Sequence, residues 1–308
     1  AASEPLSSPL RSEPTLLVAT TRKIAGEGRA SGEGLASPYF TADRGRGPTF
    51  ARAKLNPPSD ANYVSRLATG ANGDWAVARI DRRVTTDAAR AFADAATGRD
   101  LLLYIHGYNE TFETAATGAA ALADGIRFKG QAGLFAWPSG GRLLNYAYDR
   151  ESALWSRDAL VDVLRALIAS PSAGRVHIVA HSMGAFLALE ALRQLSAQDP
   201  AAHGRIGALV LASPDVDIDQ FESAVRALGP LGERITVISA TNDRALAVSA
   251  RLAGGVARAG ASERARLEAL GVRVADASDH GWSLVRHDLF LTNEDVRAVI
   301  ARAIARVG

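Results

Sequence analysis

Beyond residue 100, short, nearly continuous runs of apolar residues alternate with longer stretches in which apolar positions recur every three or four residues. Leu101 to Ile105, Gly133 to Trp137, Val176 to Ala180, Ala208 to Ala212, Ile235 to Ala240 and Val272 to Ala275 form the runs. They read as strands buried on both faces, because a strand with one wet face would alternate apolar with polar residues. The stretches between them carry helical spacing: Thr111 to Phe128, Gly184 to Leu195, and Arg150 to Ile168 with Leu154, Val161, Leu164 and Ile168 on one face. A last helix runs from Asn293 to Arg306. Strand and helix in alternation predict an α/β fold, a mostly parallel central sheet with helices on both faces. In such a sheet reactive groups gather beyond the carboxyl ends of the strands.

The first third is less regular. Leu16 to Ala19 and Trp75 to Ile80 read as strands and Thr86 to Ala96 as a helix. Residues 25–62 are rich in Gly, Pro and Arg, with Gly45-Arg46-Gly47-Pro48 and Pro57-Pro58 as loop signals. The reading places a flexible tail at residues 1–14 and a single α/β domain at residues 15–308. Within that domain, 15–98 carry N-terminal strands and loops and 99–308 the catalytic core.

Composition narrows the chemistry. An apolar fraction of 47% is ample for a buried core. Cysteine is absent, which removes disulfides, thiolate metal sites and a cysteine nucleophile together. The formal net charge is only +2, lysine occurs only at Lys23, Lys54 and Lys129, and no basic stripe carries interleaved aromatics. Nucleic acid is therefore not expected as a partner. No apolar run approaches the roughly 18 residues of a membrane span. Ala1-Ala2-Ser3-Glu4-Pro5 is small, polar and proline-broken, like the residues that follow a signal-peptide cleavage site. Export to the periplasm or medium is the expectation, with the cytoplasm as the alternative; oligomeric state is left open.

Val176 to Gly184 reads as strand, sharp turn and helix, with Ser182 at the turn. This matches the nucleophile elbow G-x-S-x-G with Ala180 in place of the first glycine. Small residues two before and two after the serine let the turn lift its hydroxyl to the top of the sheet, where helix N-terminal N–H groups favour negative charge. The N–H of Met183 is the expected first oxyanion donor. The second falls to the N–H of Tyr108, in the turn that ends the strand at Tyr104-Ile105-His106-Gly107-Tyr108-Asn109. His106, Gly107 and His181 are the residues expected beside substrate.

A serine hydroxyl needs a histidine to take its proton, and in this fold the chain order is Ser, acid, His. His203 precedes every candidate acid and fits poorly. His287 precedes the final helix and is preferred as base over His280, which lies in the turn Ser278-Asp279-His280-Gly281. Asp243, after the Ile235 strand, is preferred as acid over Asp215, after the Ala208 strand. Asp215, Asp217 and Asp219 alternate like the start of a calcium loop, but Gln220 and Arg226 stand where its glycine and last acid belong. No metal or organic cofactor is called for.

Six stretches carry a family resemblance: Tyr104 to Asn109, Phe135-Ala136-Trp137-Pro138-Ser139, Ala180 to Gly184, Ala212-Ser213-Pro214-Asp215-Val216-Asp217, Asp243 to Ser249 and His287-Asp288-Leu289-Phe290. Thr20-Thr21-Arg22 is similar more weakly. In that order they resemble a mainly bacterial α/β-hydrolase family of unknown function. The resemblance implies the α/β-hydrolase fold, the triad Ser182, Asp243 and His287, and a carboxylic-ester hydrolase. The substrate expected is a small or short-acyl ester, since one helix fits between the Ala208 and Ile235 strands and leaves no room there for a large lid. A thioesterase, amidase or transacylase would use the same residues, and a non-catalytic hydrolase-fold binding protein is the contrasting class.

Overall fold

Nine strands among the described residues form one sheet. They are β1 (Thr15–Ile24), β2 (Phe40–Asn56), β3 (Ala76–Arg83), β4 (Leu101–Ile105), β5 (Gln131–Ala136), β6 (Val176–His181), β7 (Ile206–Ala212), β8 (Ile235–Ser239) and β9 (Arg273–Asp276). Their order across the sheet is β3-β2-β1-β5-β4-β6-β7-β8-β9. The computed structural model describes residues 9–25, 38–58, 75–83, 87–96, 98–140, 146–239, 257–259, 264–276 and 293–307. Only β2 runs against its neighbours; it is antiparallel to β1 and β3, and every other strand pair is parallel.

Strands β4 to β8 are buried at every position, because helices cover both faces. Leu101, Leu103 and Ile105 of β4 join one apolar core, with Ile178 and Ala180 of β6 and Leu209 and Leu211 of β7. That side is closed by α1 (Ala88–Asp94), α4 (Arg157–Ala169), α5 (Met183–Gln198) and α6 (Ile218–Leu228). The alternate positions Leu102, Tyr104, Val179, Ala208 and Val210 face a second core. There α2 (Phe112–Gly125) and α8 (Glu294–Ala305) pack. The strand period of two thus divides one apolar run between two cores. Two further helices are α3 (Tyr146–Trp155), leading into α4, and α7 (Arg264–Glu268), before β9.

Three sequence expectations are corrected. Much of the stretch 25–62 expected to be loop is the long strand β2. Its loop signals are local: Thr20 pairs Thr49 and Arg22 pairs Arg44, so β2 spends five positions where β1 spends two. Gly45 to Pro48 bulge there, while Phe50, Ala53 and Leu55 are buried beyond it. Pro9–Ser12, expected within an extended tail, forms one helical turn with Leu10 buried and Arg11 paired to Asp124 at 3.0 Å. The single helix expected from Arg150 to Ile168 is two, α3 and α4, parted at Ser156. Ser156 is buried, its Oγ donating to the Ser152 carbonyl at 2.8 Å and sharing a hydrogen bond with Thr21 Oγ1. Leu154, placed on the buried face by its spacing, is 44% exposed.

Candidate active site

Strand β6 ends at His181, and the chain turns through Ser182 directly into α5. Ser182 has φ 52° and ψ −120°, a backbone conformation that costs a non-glycine residue on the order of 1–3 kcal/mol. Its neighbours hold it there. The Ser182 N–H donates to the Ala212 carbonyl at 2.9 Å, and its carbonyl accepts from Ala185 at 3.0 Å and Asp215 at 3.2 Å. The turn therefore hangs on the carboxyl end of β7 as well as on its own helix.

Small residues make this approach possible. A Cβ on Gly184 would lie 2.2 Å from the His106 carbonyl oxygen and 2.7 Å from that of Ile105. A Cβ on Gly107 would lie 2.7 Å from His181 Nδ1 and 3.2 Å from Ser182 Cβ. The turn after β4 thus lies against the Ser182 turn, and the expected neighbours Gly107, His181, Ser182 and Met183 come together. Met183 opens α5, so its N–H is among the first-turn donors that lack an intrahelical acceptor.

His106, expected to touch substrate, is instead fully buried and engaged on backbone. Its Nδ1–H donates to the Gly107 carbonyl at 2.8 Å, and its Nε2 accepts the Trp137 N–H at 3.1 Å. These partners place the proton on Nδ1. The imidazole is held neutral, its pKa pushed down to about 3, first by burial and then by the Arg22 charge. Trp137 Nε1–H returns a hydrogen bond to the His106 carbonyl at 2.8 Å.

The turn that continues through Tyr108 contains a second positive-φ residue, Asn109 at φ 63°, a conformation that asparagine tolerates better than other non-glycine residues. Asp149, fully buried at the start of α3, accepts from Ser139 Oγ at 2.5 Å and from the Gly140 N–H at 2.7 Å. The Asn109 backbone also hydrogen-bonds this carboxylate. Burial raises its pKa, against these hydrogen bonds. Arg22, at the end of β1, donates to the Glu110 carbonyl at 2.7 Å and to those of Thr41 and Ser139 at 3.3 Å. Burial lowers its pKa to about 10, opposed by Asp149. The Tyr108 phenol is raised to about 12, chiefly by desolvation.

Asp215 is buried and bound on both oxygens. Tyr146 donates its hydroxyl to Oδ2 at 2.9 Å, and Arg258 Nε lies 3.2 Å from Oδ1. Tyr146 also meets the Tyr108 ring edge to face, with centroids 5.7 Å apart. His203 lies before β7, at the end of that strand away from Ala212 and Ser182, and contacts Ser196. Asp217 caps α6 through the Gln220 N–H at 2.9 Å, which is the ordinary role of an aspartate before a helix. Asp243, His280 and His287 lie outside the described residues. Among the described residues no cluster of three His, Asp or Glu side chains is placed to hold a metal ion, and no helix is long and apolar enough to cross a membrane.

Asp149, Tyr146 and Arg258 were not singled out by sequence. Asp149 sits just before an amphipathic stretch and resembles any acidic residue of a first helical turn. Arg22 and Ser139 were flagged only through the family resemblance.

Several known proteins are similar. An uncharacterized protein of Nostoc sp. (strain PCC 7120) is 26% identical over 126 residues, 32% of this chain and 32% of its own length. This chain therefore matches about a third of that relative. Est1E from Butyrivibrio proteoclasticus superposes with a TM-score of 0.42 at 14% identity, over 68% of this chain and 90% of its own. An esterase of Pyrobaculum calidifontis gives 0.36 at 15% identity, over 85% and 80%. A Trichoderma reesei cutinase in complex with a phosphonate inhibitor gives 0.35 at 12% identity, over 72% and 89%. Residues 84–303 match the family described as alpha/beta hydrolase of unknown function (DUF900), and the chain belongs to that family.

Proposed function

We propose that this protein is a serine hydrolase that cleaves carboxylic esters through an acyl-enzyme on Ser182. The observation that carries the reading is the Ser182 backbone, φ 52° and ψ −120°, held by β7 and packed against Gly107 at the head of α5. Strain of this kind persists where the surroundings over-determine it, and here it lies at the carboxyl end of β6, where reactive groups of such sheets gather.

In the proposed reaction His287 accepts the Ser182 proton as Oγ attacks the ester carbonyl. The N–H groups of Met183 and Tyr108 receive the oxyanion. Collapse of the tetrahedral intermediate expels the alcohol, which takes the proton from His287. Water, deprotonated by His287, then attacks the acyl-enzyme, and His287 returns that proton to the departing Ser182 Oγ as the acid is released. Asp243 orients the imidazole and stabilises its cation. This triad assignment rests on chain order and the family resemblance. It is favoured by the engagement of both Asp215 oxygens with Tyr146 and Arg258.

The connection from β7 to β8 contains only α6 and a 3-10 turn over Gly229–Arg234. That economy supports small or short-acyl esters. The test is hydrolysis of p-nitrophenyl esters from acetate to palmitate by wild type and Ser182→Ala. Short esters cleaved by wild type alone support the reading. Turnover restricted to thioesters or amides would move the protein to another acyl donor, and equal activity in both proteins would remove Ser182 from the chemistry.

A further inference from the structure

We infer that Asp149 is a positioning residue for the oxyanion turn, its carboxylate holding the Asn109 peptide so that the adjoining Tyr108 N–H stays directed at the intermediate formed on Ser182. The inference rests on the ester-hydrolase reading above. Four consecutive peptide units of this turn are each held by a different buried side chain. His106 Nδ1–H binds the Gly107 carbonyl at 2.8 Å, which fixes the peptide carrying the Tyr108 N–H. Because a trans peptide points its C=O and N–H in opposite directions, holding the carbonyl aims the N–H. Asp149 takes the hydrogen bond of the Asn109 backbone, Ser139 Oγ accepts the Glu110 N–H at 3.2 Å, and Arg22 binds the Glu110 carbonyl at 2.7 Å.

Asp149 is the hub of this set. It receives Ser139 Oγ–H and the Gly140 N–H as well, so the turns after β4 and β5 share one anion. Ser139 passes the restraint on, donating to Asp149 while accepting from Glu110. Asn109 holds φ 63°, a left-handed conformation that asparagine tolerates better than other non-glycine residues, and the hydrogen bonds on either side of it fix the turn in that one form. A donor displaced by about 1 Å can lower the rate by on the order of 100-fold. Asparagine at this position keeps the volume but brings an NH2 group into a place where three donors converge.

The test compares wild type, Ser182→Ala, Asp149→Asn and Ser139→Ala in two assays: p-nitrophenyl acetate kinetics and the rate constant for labelling by a fluorophosphonate. Thermal melting establishes the folded fraction of each protein. The expected result for Asp149→Asn is a fall on the order of 10- to 100-fold in both kcat and the labelling rate, with KM within about twofold of wild type, as for an interaction realised only in the transition state. Ser139→Ala should fall in the same direction by less, and it decides the matter if Asp149→Asn does not fold. Folded variants with wild-type rates, or with a raised KM and unchanged kcat, would overturn the positioning role while leaving Ser182 as nucleophile. A wild type that the probe does not label at Ser182 would overturn the hydrolase reading and this inference with it.

Discussion

The imidazole of His106 lies flat on the indole of Trp137, with ring centroids 4.9 Å apart and planes within 6°. Each residue also holds the other's backbone: the Trp137 N–H binds His106 Nε2, and Trp137 Nε1–H binds the His106 carbonyl. The carboxyl ends of β4 and β5 are joined in this way beside the Ser182 turn, through a histidine that burial holds neutral.

That neutrality predicts an acid limb in stability. His106 falls from 6.5 to about 3 on folding. Below about pH 6.5 the unfolded chain therefore binds a proton that the folded chain refuses. The stabilisation is fully present above that pH and is lost progressively as the pH falls toward about 3. Urea unfolding at about pH 7 and about pH 4.5 should show a steeper loss for wild type than for His106→Gln. Asp149, whose raised pKa acts in the opposite sense, is common to both proteins. Equal losses would contradict the account.

Gly184 tests the elbow through sterics alone. Gly184→Ala drives a methyl group against two backbone carbonyls, at 2.2 and 2.7 Å, and neither can rotate aside. The expected cost is about 1–3 kcal/mol of stability, as for other overpacked sites. A fall in kcat/KM of more than about tenfold should accompany it as the Ser182 turn moves away from β4. Melting and ester kinetics on one preparation check both, and wild-type behaviour in either would show that the close packing is not required.

Asp215 and Asp243 separate by the same pair of assays. Asp215→Asn leaves Arg258 buried beside a neutral group, and breaking such a pair costs about 3–5 kcal/mol. The fraction that folds should retain activity within about tenfold of wild type, since the residue's assigned work is structural. Asp243→Asn should do the reverse, lowering kcat by on the order of 10,000-fold with little change in melting. A folded Asp215→Asn protein without activity would transfer the acid's role to Asp215.

Much of the fold was legible because β4 to β8 bury both faces and so appear as nearly continuous apolar runs. Ser182 was legible for another reason: the small residues Ala180 and Gly184 stand two positions either side of it, although the contacts that exclude a side chain at Gly184 come from Ile105 and His106. β2 was hidden because its pairing with β1 and β3 outweighs the local signals of Gly45, Gly47 and Pro48, which mark only a bulge. Leu154 misled because helical spacing continues across Ser156 whereas the helix does not. The Asp149 hub was invisible for a different reason. Its meaning lies in Asn109 and Ser139, brought to it from two other strand ends, and no periodicity along the chain records that meeting.

The central claim is that Ser182 is a nucleophile, and direct labelling tests it. Wild type and Ser182→Ala would be treated with a fluorophosphonate, digested and mapped by mass spectrometry. The account predicts one adduct, on the peptide containing Ser182, with no adduct in the variant and parallel loss of p-nitrophenyl acetate hydrolysis. An adduct on another residue, or ester hydrolysis that survives in Ser182→Ala, would contradict it.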